Sequence, residues 1–195
     1  MTKAIRLEAS DALIIVDVQN DFLPGGALAV PHGDAIVPVL NQYIECFCRH
    51  GLPVFATRDW HPANHCSFHD QGGPWPAHCV AGTNGAEFPP TLHLPADVRV
   101  ISKAGQPEKD AYSGFDGTAL HDALQEAGAS RLFIGGLATD YCVLSTVQDA
   151  LRLGYRVCLL ADAIRAVNVN DGDDVRAVAD MRAAGAVVIR VAQLQ

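Results

Sequence analysis

Basic clusters are missing from this chain, and so is any segment in which arginines alternate with aromatic residues. A formal net charge of −8 and a pI near 5.3 give a surface unsuited to nucleic acid or an anionic membrane, so neither partner is expected. No apolar run is long enough to span a bilayer, and Met1 to Asp11 has neither the apolar core nor the small-residue cleavage site of a secretory leader. A cytoplasmic location is the expectation. Repeats, linkers, low-complexity tracts and long runs of one charge sign are also absent, which excludes disordered and repeat architectures. Paired CxxC hooks do not occur either, which leaves a structural zinc on Cys66 and Cys79 as a weak alternative. The six cysteines are expected to be reduced, with Cys46, Cys48 and Cys158 as inert core residues in apolar helix or strand patterns.

What is present is enough apolar material for one substantial core: 195 residues, 49% of them hydrophobic and 18% charged, read as a single domain spanning 1–195. Runs rich in Val, Ile and Leu at Ala12 to Val18, Pro53 to Thr57, Val98 to Ser102, Arg131 to Gly135, Arg156 to Leu160 and Ala186 to Val191 read as buried strands. Between them, Leu120, Ala123, Leu124 and Ala127 recur at helical spacing before Gly128, and Ile36 to His50, Val143 to Leu153 and Asp173 to Ala184 fit as further helices. The alternation implies an α/β fold, a three-layer αβα arrangement around a mainly parallel six-stranded sheet with right-handed crossovers. One connection breaks the rhythm. Asp59 to Ala96 holds no convincing helix but many Pro, Gly, His and aromatic residues, and long irregular loops are usually functional.

In open α/β sheets ligands bind at the carboxyl ends of the strands. Asp17 lies near the end of the first apolar run, Asp59 just past the second, Lys103 at the end of the third and Cys142 a short turn after the fourth, so four reactive side chains converge on one edge. Asp17 must be paired or hydrogen-bonded to offset its desolvation, either as a loop-organising acid or as a functional one. Lys103 alone reads as a strand-end lysine reaching solvent; together the two suggest an ion pair. Cys142 opens a helix after Gly135-Gly136-Leu137-Ala138-Thr139-Asp140-Tyr141, where backbone N–H groups and the dipole stabilise a thiolate and could stabilise an oxyanion. A buried packing cysteine is the plainer alternative. Asp59 and His61, two apart in an extended segment, point to the same side, and His78 closes a divalent-metal site with positions left for water and substrate. His65 is a candidate fourth ligand, and surface histidines in a polar loop are the alternative. His32, His50, His69, His93 and His121 read as surface residues.

The anchors Ile15-Val16-Asp17-Val18-Gln19-Asn20-Asp21-Phe22, Asp59-Trp60-His61, Trp75-Pro76-Ala77-His78-Cys79-Val80, Lys103, Tyr112-Ser113-Gly114-Phe115 and Gly136-Leu137-Ala138-Thr139-Asp140-Tyr141-Cys142-Val143 resemble nicotinamidases of the isochorismatase-like cysteine hydrolase family over nearly the whole chain. The resemblance implies a catalytic triad of Asp17, Lys103 and Cys142, and a metal bound by Asp59, His61 and His78 with waters. It also implies a cis peptide before Ala138, which turns the Ala138 N–H toward the oxyanion beside that of Cys142. Phe22 and Trp75 match the aromatic residues that sandwich the substrate ring, whose pyridine nitrogen the metal takes. His65 falls where some relatives have a ligand and others a substrate contact. No residue of Ala104 to Ala111 can be carried across.

The expected activity is hydrolysis of nicotinamide to nicotinate and ammonia through a thioester, a step of NAD salvage, with pyrazinamide as an adventitious substrate. The cofactor is one divalent ion, zinc first, with iron or manganese also suited to an Asp/His set. A dimer is the base-rate expectation. The rivals are another amidase of the superfamily acting on a carbamoyl or ureido compound, and a metal- or redox-sensing protein in which Cys142 oxidises.

Overall fold

A computed structural model describes residues 4–195. Six strands, β1 (Asp11–Val16), β2 (Val54–Asp59), β3 (Arg99–Lys103), β4 (Arg131–Leu137), β5 (Arg156–Arg165) and β6 (Val187–Ile189), form one sheet in the order β3-β2-β1-β4-β5-β6. Every neighbouring pair is parallel. The α-helices are α1 (Val37–Arg49), α2 (Leu120–Glu126), α3 (Leu144–Arg152) and α4 (Asp173–Ala183).

Strand pleat explains the layering. Successive side chains of β1 point to opposite faces: Leu13 and Ile15 join the cluster holding Leu40, Tyr43 and Phe47 of α1, whereas Ala12, Ile14 and Val16 join Leu124 of α2, Val147 of α3 and Met181 of α4. A strand buried on both faces needs apolar residues at every position, which is why the central strands read as unbroken runs. The result is the expected αβα sandwich. None of the helices among the described residues is long and apolar enough to cross a membrane.

Some boundaries differ from the expectation. The first strand stops at Val16, because Asp17 has left-handed backbone geometry (φ 50°) that leaves the pleat. The fifth extends to Arg165, past a register shift against β4. The expected buried strand at Val98 to Ser102 is an exposed edge strand in which only the terminal Lys103 is buried. Cys48 is also corrected: it lies on the solvent side of α1, while Cys46 and Cys158 are buried as expected.

The β2-to-β3 connection has no α-helix, only short 3₁₀ turns at His69–Gln71 and Asn84–Ala86. Single bridges, His61 to Val80 and Phe68 to Trp75, fold it back on itself. The sheet order reverses between β1 and β4, so the crevice at their carboxyl ends is the topological switch point where such sheets bind ligands.

Candidate active site

At that crevice the chain leaves β1 through Asp17 and leaves β4 through Ala138, then makes a π-helical turn, Thr139–Val143, before α3 begins. Gly136 allows the two strands to close on each other here: a β-carbon at this position would lie 2.1 Å from the Val16 carbonyl oxygen, and its φ of 128° suits only glycine. On the next two strands, Asp59 and Lys103 are paired in register as the last residues of β2 and β3. The expected convergence of strand-end residues is therefore met.

The Lys103 ammonium is buried at the centre of the group. Its Nζ lies 2.5 Å from Asp59 Oδ1, 3.0 Å from Asp17 Oδ2 and 3.5 Å from Cys142 Sγ, and it donates to the Ala111 carbonyl at 3.0 Å. The surface-lysine alternative is excluded by this burial. Burial alone would strip the proton from Lys103, but the carboxylates of Asp17 and Asp59 overcome it and raise its pKa well above the ordinary lysine value. Asp59 is also opposed by burial, yet Lys103 and the neighbouring imidazoles hold its pKa below the usual carboxylate range.

Asp17 is balanced differently. Burial dominates and raises its pKa, against the pull of Lys103 and a hydrogen bond that Thr57 Oγ1 donates to Oδ1 at 2.6 Å. Its Oδ2 is the one buried side-chain polar atom among the described residues with no hydrogen bond, and Lys103 Nζ, 3.0 Å away, is its ion-pair partner. That oxygen retains lone pairs in a site where Asp17, Asp59 and Cys142 offer ligand atoms all within 4.8 Å of one another.

Burial pushes the Cys142 thiol well above its ordinary value; Lys103 works against this, while Asp17 and Asp59 add to it. Cys142 sits in the π turn ahead of α3 rather than on the helix start itself, beside two carboxylates that oppose a thiolate and one ammonium that favours it.

Beside this group, Asp59, His61 and His78 present one ligand atom each within 4.8 Å of one another. The donor set fits a divalent cation. His61 Nδ1 faces the His78 carbonyl at 3.0 Å and His78 Nδ1 faces the Pro76 carbonyl at 2.8 Å, an arrangement that puts the proton on Nδ1 and leaves each Nε2 lone pair free. Burial pushes the His61 pKa down to about 4, so its imidazole is neutral. A carboxylate has lone pairs for both Lys103 and an ion. His65 shares a second possible donor group with His61 and Asp110; its Nδ1 meets Ser67 Oγ at 2.7 Å, its Nε2 the Lys109 carbonyl at 3.1 Å, and its ring lies 4.2 Å from that of His61. The Cys66–Cys79 alternative gathers no donor cluster among the described residues.

A cavity opens onto both groups and is lined by Cys142, Ala138, Asp59, His61, His78, Phe22 and Trp75, with Tyr112, Tyr141, Asp110 and Val167. The peptide between Leu137 and Ala138 is cis.

Residues 11–193 match the isochorismatase domain. The chain belongs to the isochorismatase family. It is 43% identical to the nicotinamidase of Escherichia coli (strain K12) over 202 residues, covering 93% of this chain and 95% of that one. Among solved structures, the pyrazinamidase of Pyrococcus horikoshii in complex with zinc is similar at 50% identity and a TM-score of 0.89, covering 93% of this chain and 99% of that one. PnC1 from L. infantum in complex with nicotinate is similar at 38% identity and a TM-score of 0.89, with 98% of each chain covered.

Several residues that organise this isochorismatase-family site were given no role by the sequence, although all but Thr57 fall within the anchor motifs. Thr57 is an ordinary strand threonine until its partner is seen. Gln19 spans two loops, donating to the Asp59 carbonyl at 2.8 Å and the Ala86 carbonyl at 2.9 Å while accepting the Asp59 N–H at 2.8 Å. Asp21 accepts the Cys79 N–H at 2.7 Å and so holds the segment after His78. Tyr112 accepts a hydrogen bond from Trp75 Nε1 at 3.1 Å, and Tyr141 packs edge-on against Trp75 at 5.2 Å.

Proposed function

We propose that this chain is a single-domain nicotinamidase that hydrolyses nicotinamide to nicotinate and ammonia, and that also accepts pyrazinamide. The observation that carries the reading is the contact of Lys103 with Asp17, Asp59 and Cys142 beside an apolar cavity that is also lined by His61 and His78. Similarity to relatives named for this activity, one of them bound to zinc and another to nicotinate, supports it.

In this reading Asp17 Oδ2 takes the Cys142 proton as sulfur attacks the amide carbon, and Lys103 balances the carboxylates throughout. N–H groups of Ala138 and Cys142 receive the charge that develops on the amide oxygen. As the carbon–nitrogen bond breaks, Asp17 returns the proton and ammonia leaves, with the acyl group held as a thioester. A water that gives its proton to Asp17 then releases the acid and restores the thiol. Phe22 and Trp75 hold the planar ring. Asp59, His61 and His78 would hold a divalent ion, zinc foremost, which when bound supplies a Lewis-acid contact for the ring nitrogen.

Ammonia release from nicotinamide, pyrazinamide and a ureido compound, before and after chelation, tests the proposal. Cys142→Ala is expected to abolish turnover while metal content and fold persist; unchanged turnover, or full nicotinamide activity after complete metal removal, would sink it. Six unpaired thiols favour a reducing compartment, the cytoplasm. A homodimer rests on the frequency of such assemblies and is checked by size-exclusion with light scattering.

A further inference from the structure

Asp140 lies inside the nucleophile turn, two residues before Cys142, yet its side chain serves neither the turn nor the triad. Its two carboxylate oxygens each accept one backbone N–H from the segment after β5: Oδ1 from Val167 at 3.0 Å and Oδ2 from Asn168 at 2.8 Å. Asn168 has left-handed backbone geometry (φ 53°), and its side-chain oxygen in turn accepts the Asp174 N–H at the start of α4, 2.8 Å away. This chain of bonds tethers an otherwise exposed loop to the catalytic turn. Val167 is the residue it secures, and Val167 lines the same cavity as Cys142, half-buried against the core cluster that includes Phe22 and Ala138.

We propose that Asp140 is a positioning residue that holds Val167 as a wall of the substrate cavity, and that this wall limits the size of ring substituents the enzyme admits. The inference rests on the nicotinamide reading and adds a specificity determinant to it. A carboxylate is required because both partners are N–H donors; an amide of the same shape can accept only one and turns its own N–H toward the other. A tether from the nucleophile turn keeps the wall at a fixed distance from the sulfur, which a free loop could not do.

The test compares kcat/KM for nicotinamide with that for the singly ring-methylated nicotinamides, in the parent protein, Val167→Ala, Asp140→Asn and the double variant. A ratio of two kcat/KM values on one preparation does not depend on how much of it is folded, so general structural damage leaves it unmoved. Removing the valine methyl groups is expected to shift the ratio toward at least one methylated ring by about tenfold, the low end of what one methyl group is worth in an apolar pocket. Asp140→Asn is expected to move the ratio toward the same compound, with a larger change in KM than in kcat for nicotinamide, and the double variant to shift it no further than the larger single effect.

An unmoved ratio in Val167→Ala overturns the proposal whether or not Asp140→Asn folds. A uniform fall in kcat for all substrates in Asp140→Asn, or shifts that multiply in the double variant, overturns it as well. Dissociation constants for the same compounds, read from tryptophan fluorescence, give the ratio without turnover. Absence of nicotinamide hydrolysis would thus defeat the activity reading, while the binding ratio would still decide whether Val167 and Asp140 set the size of the cavity.

Discussion

At the scale of single residues, the chemistry depends on how burial is offset. Four ionisable side chains, Asp17, Asp59, Lys103 and Cys142, share one buried pocket, and the one cation among them pairs with both carboxylates. Thr57 bears on this balance through a single hydrogen bond that stabilises ionised Asp17. Thr57→Val removes the bond and keeps the shape. Hydrogen bonds to charged groups are worth about 1.5–3 kcal/mol, so on the acid side of the pH profile kcat/KM is expected to fall roughly ten- to a hundredfold. Because the lost bond favoured the charged form, the Asp17 pKa rises further, and the acid limb of the kcat/KM profile moves to higher pH. A profile that does not move would remove Thr57 from the machinery.

His61 gives a stability prediction. Its folded pKa is about 4 against an ordinary 6.5, mainly because burial disfavours the imidazolium. Between those values the unfolded chain binds more protons than the folded one, so stability rises with pH. The contribution is fully present above about pH 6.5, on the order of 3 kcal/mol at about 1.4 kcal/mol per unit, and is lost as pH falls toward 4. Urea midpoints of chelated protein across this window should slope accordingly, and His61→Gln should flatten the slope. An equal slope in the variant would assign the pH dependence to another group.

At the scale of elements, the ends of the strands divide the labour. The carboxyl ends carry the site, and the amino ends carry a structural pair: Arg131 at the start of β4 grips the buried Asp11 at the start of β1 through two hydrogen bonds of 2.7 and 2.6 Å. A six-residue strand is about 20 Å long, so this pair lies remote from Cys142. Asp11→Ala leaves the guanidinium short of its main partner. Arg131 keeps Glu8 nearby and is 13% exposed, so the loss is expected at the low end of the range for broken buried pairs, about 3 kcal/mol. Urea unfolding measures it, and kcat/KM of the folded fraction should not change; a matching fall in kcat/KM would mean that the two ends of the sheet are coupled.

The elements were legible in the sequence to differing degrees, for physical reasons. Central strands are apolar at every position because both faces of the sheet are covered, and the helices are apolar along the stripe that covers them, so both patterns are visible. Edge strand β3 is half-exposed, so its apolar residues suggested more burial than they have. Asp17, Lys103 and Cys142 could be read as candidates because they lie at the end of an apolar run or a short turn beyond it, where a polar residue stands out. The roles of Thr57, Gln19, Asp21 and Asp140 could not, since the bonds through which they organise the site reach 27 or more residues along the chain. The Ala104 to Ala111 segment gave no reading because it contributes mostly backbone: the Ala111 carbonyl to Lys103, the Lys109 carbonyl to His65 and the Pro107 carbonyl to the Cys66 N–H.

At the scale of the whole molecule, the sheet and the metal loop are held by different means. The sheet is packed between two apolar clusters and makes no use of the histidines. The loop from Trp60 to Val98 adds Cys79, Ala86 and Leu92 to the first of these clusters, but its stretch from His61 to His78 lies outside both and is held by backbone bonds between His61, Cys79 and Ala81 and by the Asp21 side chain reaching from the segment after β1. Removing the ion should therefore unsettle the loop and spare the fold. Chelated protein is expected to keep its far-UV circular dichroism, lose ammonia release from nicotinamide, and exchange amide hydrogens faster between Trp60 and Val80 than in β1 or β4. Restoring zinc at about 100 times its dissociation constant should stabilise the protein by about 2.7 kcal/mol through mass action, which for a chain of this length is roughly 5–10 °C in Tm. Faster exchange spread evenly over the strands would mean that the ion is part of the folding core, and the division between scaffold and site drawn from the two clusters would have to be abandoned.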